Sequence, residues 1–263
     1  MRANRLPAAR GLRWVAEALV IFRVAPLRQL LLNLLFLFAV TIVVAVPVIG
    51  FAAVWLLFPA LLVGPHAIAR MAARGTTPGP DQLVSGFRQS LAAQLRLGGI
   101  FLAAMLVVLA ATALADDGRF AQAMVGRIRL NIDDVQNPDL QRAMLIGAGL
   151  QTALLGVLWY APLLVAWNGL SASKAVFFSA AAALINWRAL IAYGAAIMLL
   201  FAFVLMLALG GAMLLGGGGA GQANSALFAV VWSLLPVWFA SSYLSYRDVF
   251  GTEEPGKSPT IPA

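Results

Sequence analysis

One histidine and two pairs of aspartates are the side chains with most scope for chemistry in this 263-residue chain. His66 follows Pro65 near the end of an apolar run. As a proton carrier or metal ligand it would need a carboxylate or a second donor close by. From Gln29 to Ala69 no other ionisable residue occurs, so an interfacial or hydrogen-bonded histidine is expected. Asp116 with Asp117, and Asp133 with Asp134, are carboxylate pairs of the kind that can bridge a divalent cation. A calcium loop spaces its oxygen ligands evenly around a turn glycine, and these pairs do not, so they are read as solvated surface charge. Asn137, Pro138 and Asp139 form a helix start, with Asn as the cap, Pro in the first turn and Asp favoured by the helix dipole. Cysteine is absent, which removes disulfides, thiolate nucleophiles and cysteine metal sites. The run Gly216, Gly217, Gly218, Gly219, Ala220, Gly221 has no lysine after it and is read as a flexible connection, not a phosphate loop. With no nucleophile, metal set or acid/base pair, the chain is expected not to be an enzyme and to carry no cofactor.

The elements that would position these residues follow from hydropathy. Hydrophobic residues make up 62% of the chain and charged ones 11%, far too apolar for a water-soluble domain of this size. Leu97 to Ala115, Ala143 to Ser173 and Ala189 to Tyr246 are free of Asp, Glu, Lys, Arg and His. Roughly 18 to 20 apolar residues cross a ~30 Å hydrocarbon core as a helix, and lipid-facing backbone must pair internally, which selects helices. The reading is an all-α integral membrane protein with six transmembrane helices. The spans are at about Leu30 to Val46, Phe51 to Ala69, Leu97 to Ala115, Ala143 to Trp167, Ala189 to Leu215 and Asn224 to Tyr243. The first two are joined by Pro47, Val48, Ile49 and Gly50, a tight turn. Full crossings are preferred there to a re-entrant hairpin, because about 40 residues at ~1.5 Å each give twice the hydrocarbon thickness. The basic N-terminal segment is not read as a cleaved export signal, since no small-residue cleavage pattern follows the first apolar run.

Charge orients the spans. The formal charge of +8 arises from 18 basic against 10 acidic residues. No basic stretch is interleaved with exposed aromatics, so nucleic acid is not the expected partner. Lys and Arg number 14 in the segments before the first, third and fifth spans and after the sixth, and 4 in the aspartate-rich segment from Asp116 to Arg142. By the positive-inside rule both termini are expected in the cytoplasm, in a bacterial inner membrane.

A three-fold pattern overlies the spans. Each second span carries a tryptophan followed by a proline: Trp55 and Pro59, Trp159 and Pro162, Trp232 and Pro236. Each first span is preceded by a short stretch ending near an aromatic and an arginine: Phe22 and Arg23, Phe87 and Arg88, Trp187 and Arg188. The repeat unit is an interfacial amphipathic helix followed by a hairpin, over about 11–69, 81–167 and 171–244 of a single transmembrane domain, 1–246. Residues 247–263 are expected to be a disordered cytoplasmic tail. Leu12, Val15, Leu19 and Phe22 share one helical face, and Leu83, Phe87, Leu91 and Leu95 another. Helices of this kind lie at the inner head-group boundary. Arg13, Arg23, Arg28, Arg88, Arg96 and Arg188 are the candidate contacts to anionic lipid head groups at the cytoplasmic face. Pro59, Pro162 and Pro236 are candidate kinks, each freeing a backbone carbonyl around a possible central cavity. Asn33, Thr41, Gln151 and Thr152 are the main polar residues inside spans, and they more often bond across helices than line a pathway. Gly147 with Gly149, Ala180 to Ala183, and Ser241, Ser242 and Ser245 are read as close-packing surfaces.

The chain resembles an uncharacterised family of proteobacterial polytopic inner-membrane proteins. The resemblance is carried by Pro7, Ala8, Ala9, Arg10, Gly11 and Trp14; by Phe22, Arg23 and Pro26; by Trp159 to Pro162; by Asn186 and Trp187; and by Ser245, Tyr246, Arg247, Asp248 and Phe250. It implies a six-span membrane fold and no activity. A looser likeness, in the repeated hairpins, is to the membrane domain that accompanies some glycerophosphodiester phosphodiesterases. The functional expectation is a non-enzymatic membrane protein acting through membrane lipids and through contacts with itself, as a homo-oligomer, or with a protein partner. The alternative is a passive or lipid-handling transporter with its cavity at the three prolines.

Overall fold

The computed structural model describes residues 2–88, 90–131, 133–214 and 220–251. All regular structure among these residues is helical. The helices are α1 (Ala9–Phe22), α2 (Pro26–Val44), α3 (Ile49–Ala73), α4 (Ser85–Arg88), α5 (Leu91–Asp116), α6 (Arg119–Met124), α7 (Pro138–Leu158), α8 (Ala161–Asn168), α9 (Ala172–Ile185), α10 (Trp187–Leu214) and α11 (Ala220–Phe250), with short 3-10 turns at Pro80–Val84 and Asp133–Gln136. Six segments are long and apolar enough to cross a membrane: Pro26–Val44, Ile49–Ala73, Leu91–Asp116, Pro138–Asn168, Trp187–Leu214 and Ala223–Phe250. They coincide with the six expected spans and mostly extend them, because helix geometry continues into flanks where polar residues end the hydropathy signal. The run Gly216 to Gly219 and the tail from Thr252 onward lie outside the described residues.

The chain packs as two compact units, one of Met1–Leu35, Pro65–Leu83 and Leu184–Ala263, the other of Phe36–Gly64 and Val84–Ala183. In the first unit, α1 turns a face of Gly11, Trp14, Val15 and Ala18 inward. A Cβ at Gly11 would run into the Ala189 carbonyl oxygen, so only glycine lets α1 lie this close to α10. Trp14 then meets Tyr193 edge-on, with ring centroids 6.0 Å apart. The turn out of α1 is held by Gln29, whose Nε2 donates to the Ile21 and Phe22 carbonyls at 3.2 Å each and satisfies groups that a helix end leaves orphaned. Asn33 Nδ2 donates to the Gln29 carbonyl at 2.8 Å, and Trp232 Nε1 donates to the Leu30 carbonyl at 3.0 Å, joining α11 to α2. Beyond Tyr193, α10 is bare. None of its most apolar window is buried in protein, and Met198, Leu199, Phe203 and Met206 face outward. Such a surface belongs in hydrocarbon.

The second unit centres on Met105, Val108 and Leu109 of α5, packed by Phe51, Trp55 and Leu154. Rings of Phe51, Trp55, Phe58 and Phe101 follow one another at centroid spacings of 6.3, 5.2 and 5.8 Å. Gly98 of α5 lies against the Leu56 carbonyl and Gly86 against that of Ala60, both too close for a Cβ. The α2–α3 turn puts Val48 at φ 63°, a costly conformation for a β-branched residue. Its N–H donates to the Val125 carbonyl at 2.9 Å, which pins the turn.

The face of α1 turned to the protein is Gly11, Trp14, Val15 and Ala18, which leaves Leu12 and Leu19 exposed. Three expectations are corrected. The stripe Leu83, Phe87, Leu91, Leu95 is not one helical face: α4 ends at Arg88, and Ser90, at φ 54°, breaks the path into α5. The fourth crossing is broken at Trp159 and Tyr160, so Pro162 sits in the first turn of α8 instead of bending a continuous helix. Arg247 to Phe250, assigned to the tail, continue α11, where the side chains of Tyr246, Val249 and Phe250 are buried.

Candidate functional site

The most organised group of charges lies where α1 meets the end of α11. Arg10, in the first turn of α1, clasps both oxygens of Glu17, with Nη2 to Oε2 at 3.0 Å. The same guanidinium donates through Nε to Asp248 Oδ2 at 2.5 Å. Trp14, fully buried, donates its indole N–H to that oxygen at 2.8 Å. Arg247 approaches Asp248 Oδ1 at 3.2 Å and Glu17 at 3.7 Å. Two acids and two arginines thus share one half-buried network, bridging positions 10 and 248. Burial lowers the Arg10 pKa, but hydrogen bonds and charge from Glu17 and Asp248 outweigh it and leave the pKa raised, so the guanidinium stays charged.

The N-terminal arm fastens to the same place. Asn4 N–H donates to the Val249 carbonyl at 2.7 Å, and Asn4 Nδ2 to that of Asp248 at 3.1 Å. Asn186, just before α10 and 1% exposed, brackets the arm. Its Oδ1 accepts from the Leu6 N–H at 2.8 Å, and its Nδ2 donates to the Asn4 carbonyl at 2.9 Å. The two ends of the described chain therefore meet. Arg10, Gly11, Trp14, Asn186, Arg247 and Asp248, which carry part of the family resemblance, come together here.

The six candidate lipid-contact arginines, Arg13, Arg23, Arg28, Arg88, Arg96 and Arg188, are all exposed. Arg188 lies over the Trp187 ring at 5.3 Å. In the first unit, Arg23, Arg28 and Arg188 stand at the α1–α2 turn and the start of α10, the level at which α1 is docked. The outer side of α1 presents Leu12, Leu19 and Val20 beside Arg13 and Arg23. Of the three prolines, Pro59 and Pro236 lie inside unbroken helices α3 and α11. At Pro162 the chain frees backbone groups that protein side chains recover: Ser179 Oγ accepts from the Tyr160 N–H at 3.0 Å, and Gln94 Nε2 donates to the Pro162 carbonyl at 3.0 Å.

His66 is 6% exposed, with Nε2 3.0 Å from Ser242 Oγ and its ring edge-on to Phe239 at 5.2 Å. Ser241 Oγ is 3.0 Å from Tyr193 OH, so the serines of α11 serve helix packing, as expected. Among the described residues no group of three or more His, Cys, Asp or Glu is placed to hold a metal ion.

Of the aspartates read as solvated surface charge, Asp116 is instead buried, and both it and Asp134 hold backbone N–H groups. Asp116 accepts from the Gly118 and Phe120 N–H groups at 3.1 and 2.6 Å. Asp134 accepts from the Asn131 N–H at 2.8 Å and from Arg119 at 2.6 Å, and that amide first, then Arg119, holds its pKa below the usual carboxylate value. Asn137 Oδ1 accepts from the N–H groups of Asp139 and Leu140 at 2.8 and 3.3 Å, the cap expected from its sequence. A shallow open groove at this end is lined by Asp116, Asp117, Arg119, Asn137 and Asp139.

Sequence reasoning missed Arg10, Glu17 and Asp248 as a cluster. The signal within reach was compositional: Glu17 is the only acid before the first span, and Asp248 lies beside Arg247 at the end of the last.

No protein-family model and no solved structure matches the chain. A probable inner membrane protein of Burkholderia thailandensis is 33% identical to it over 269 aligned residues, covering 100% of this chain and 98% of that protein. With that identity running end to end, and six helices able to cross a membrane, the chain belongs to the same family of polytopic inner-membrane proteins.

Proposed function

We propose that this multi-pass inner-membrane protein works without catalysis, through its contacts with anionic lipid at the cytoplasmic face and with itself or a protein partner along its spans. Both chain ends lie on the cytoplasmic side in this reading, and the aspartate-rich segment lies on the other. The observation that carries it is the outer side of α1, where exposed Leu12, Leu19 and Val20 adjoin exposed Arg13 and Arg23. Apolar side chains at that depth suit acyl chains, and guanidinium groups suit phosphate, each basic residue near a charged surface contributing ~1 kcal/mol. Arg28 and Arg188 extend the basic surface of that unit, Arg88 and Arg96 are exposed on the other unit, and the bare face of α10 supplies area for packing within the membrane.

The test replaces Arg23, Arg88 and Arg188 together by Gln and measures copurifying lipid by mass spectrometry, alongside exchange into vesicles of defined composition. The expected result is a loss of anionic over zwitterionic lipid of roughly tenfold or more. An unchanged lipid profile contradicts the reading.

A further inference from the structure

We infer that α1 is a latched helix: the carboxylate of Asp248, at the end of the last span, holds it seated against α10 and α11, and loss of that negative charge releases it from its seat. The inference concerns the seating of α1 and does not depend on what the outer side of α1 binds.

The geometry concentrates the attachment. Only Gly11, Trp14, Val15 and Ala18 of α1 are buried, a short apolar strip. The described side-chain hydrogen bonds from the body of α1 to α11 both end on Asp248 Oδ2, one from the Arg10 guanidinium and one from the Trp14 indole. The remaining ion pair across that boundary runs from Arg247, itself turned toward Asp248, to Glu17. Removing one charge therefore unpairs Arg10 from α11 and strips the buried indole N–H of its charged acceptor. Such an uncompensated donor disfavours the state that buries it. Release is a local hinging of α1 about the Arg23 to Ala25 segment, and it also loosens the arm that Asn4 and Leu6 fasten to Asn186 and Val249. The seat is also late to form: α1 is the first helix of the chain, while Ala189, Tyr193 and Asp248 belong to the last two spans. Seating thus reports that α10 and α11 are both in place.

The chain has no cysteine, so one introduced thiol is read without background. Ala18 is fully buried on the inward face of α1, and Ala182, equally buried in α9, serves as the reference. In the full-length protein in membrane vesicles, Ala18→Cys is expected to resist maleimide. Adding Asp248→Asn, which keeps size and removes charge, should speed its labelling roughly tenfold or more while Ala182→Cys stays protected. Arg10→Gln, which cancels the opposite charge and leaves α11 intact, should act in the same direction with smaller amplitude. Protection of position 18 in both variants overturns the inference. So does a parallel gain at position 182, since that marks general unfolding and not the release of one helix.

Discussion

The clasp at Asp248 and the start of α7 use the same residue types to different ends. Around Asp248, arginines and carboxylates are half-buried and join the first helix to the last. In the first turns of α7, Arg142 pairs with Asp139, three residues before it, at 2.6 Å, with both side chains more than half exposed. In water-filled surroundings such a pair is screened and contributes little. In the clasp, the half-buried site excludes much of the water and Asp248 Oδ2 takes two donors from α1, so loss of that carboxylate leaves both stranded. Charge that is enclosed and shared between distant elements organises the fold, while charge that is exposed and local trims loops and caps helices.

Two substitutions sharpen this contrast. Asp248→Ala should cost about 2 kcal/mol, through the stranded Trp14 indole and Arg10 guanidinium, measured as a lowered thermal midpoint in detergent. Arg142→Gln should cost below ~0.5 kcal/mol in the same assay. Equal effects would erase the distinction between enclosed and exposed charge.

The same distinction decides what the sequence revealed. The six spans were legible because hydropathy sums over each segment by itself, and the Asn137 cap because its partners lie two and three residues on. The clasp was not legible, since Arg10 and Asp248 stand 238 positions apart and no local pattern pairs them. Nor does periodicity register backbone reversal: Leu83, Phe87, Leu91 and Leu95 keep helical spacing across the positive φ of Ser90. Proline is equally ambiguous, ending one helix and opening another at Pro162 while Pro236 stays inside α11. The end of α11 was hidden for a related reason. Arg247 and Asp248 look like the start of a charged tail until the burial of Tyr246 and Val249 beside them is known. The six arginines chosen from sequence are all exposed, whereas Arg10 and Arg247, which were not chosen, are half-buried and join the first helix to the last.

Everything proposed for lipid contact rests on the basic ends of the spans facing the cytoplasm. Paired reporter fusions that are active on opposite sides of the inner membrane, placed after Gly118 and after Gly251, address this directly. The account predicts a periplasmic signal at Gly118 and a cytoplasmic one at Gly251; a cytoplasmic signal at Gly118 would contradict it.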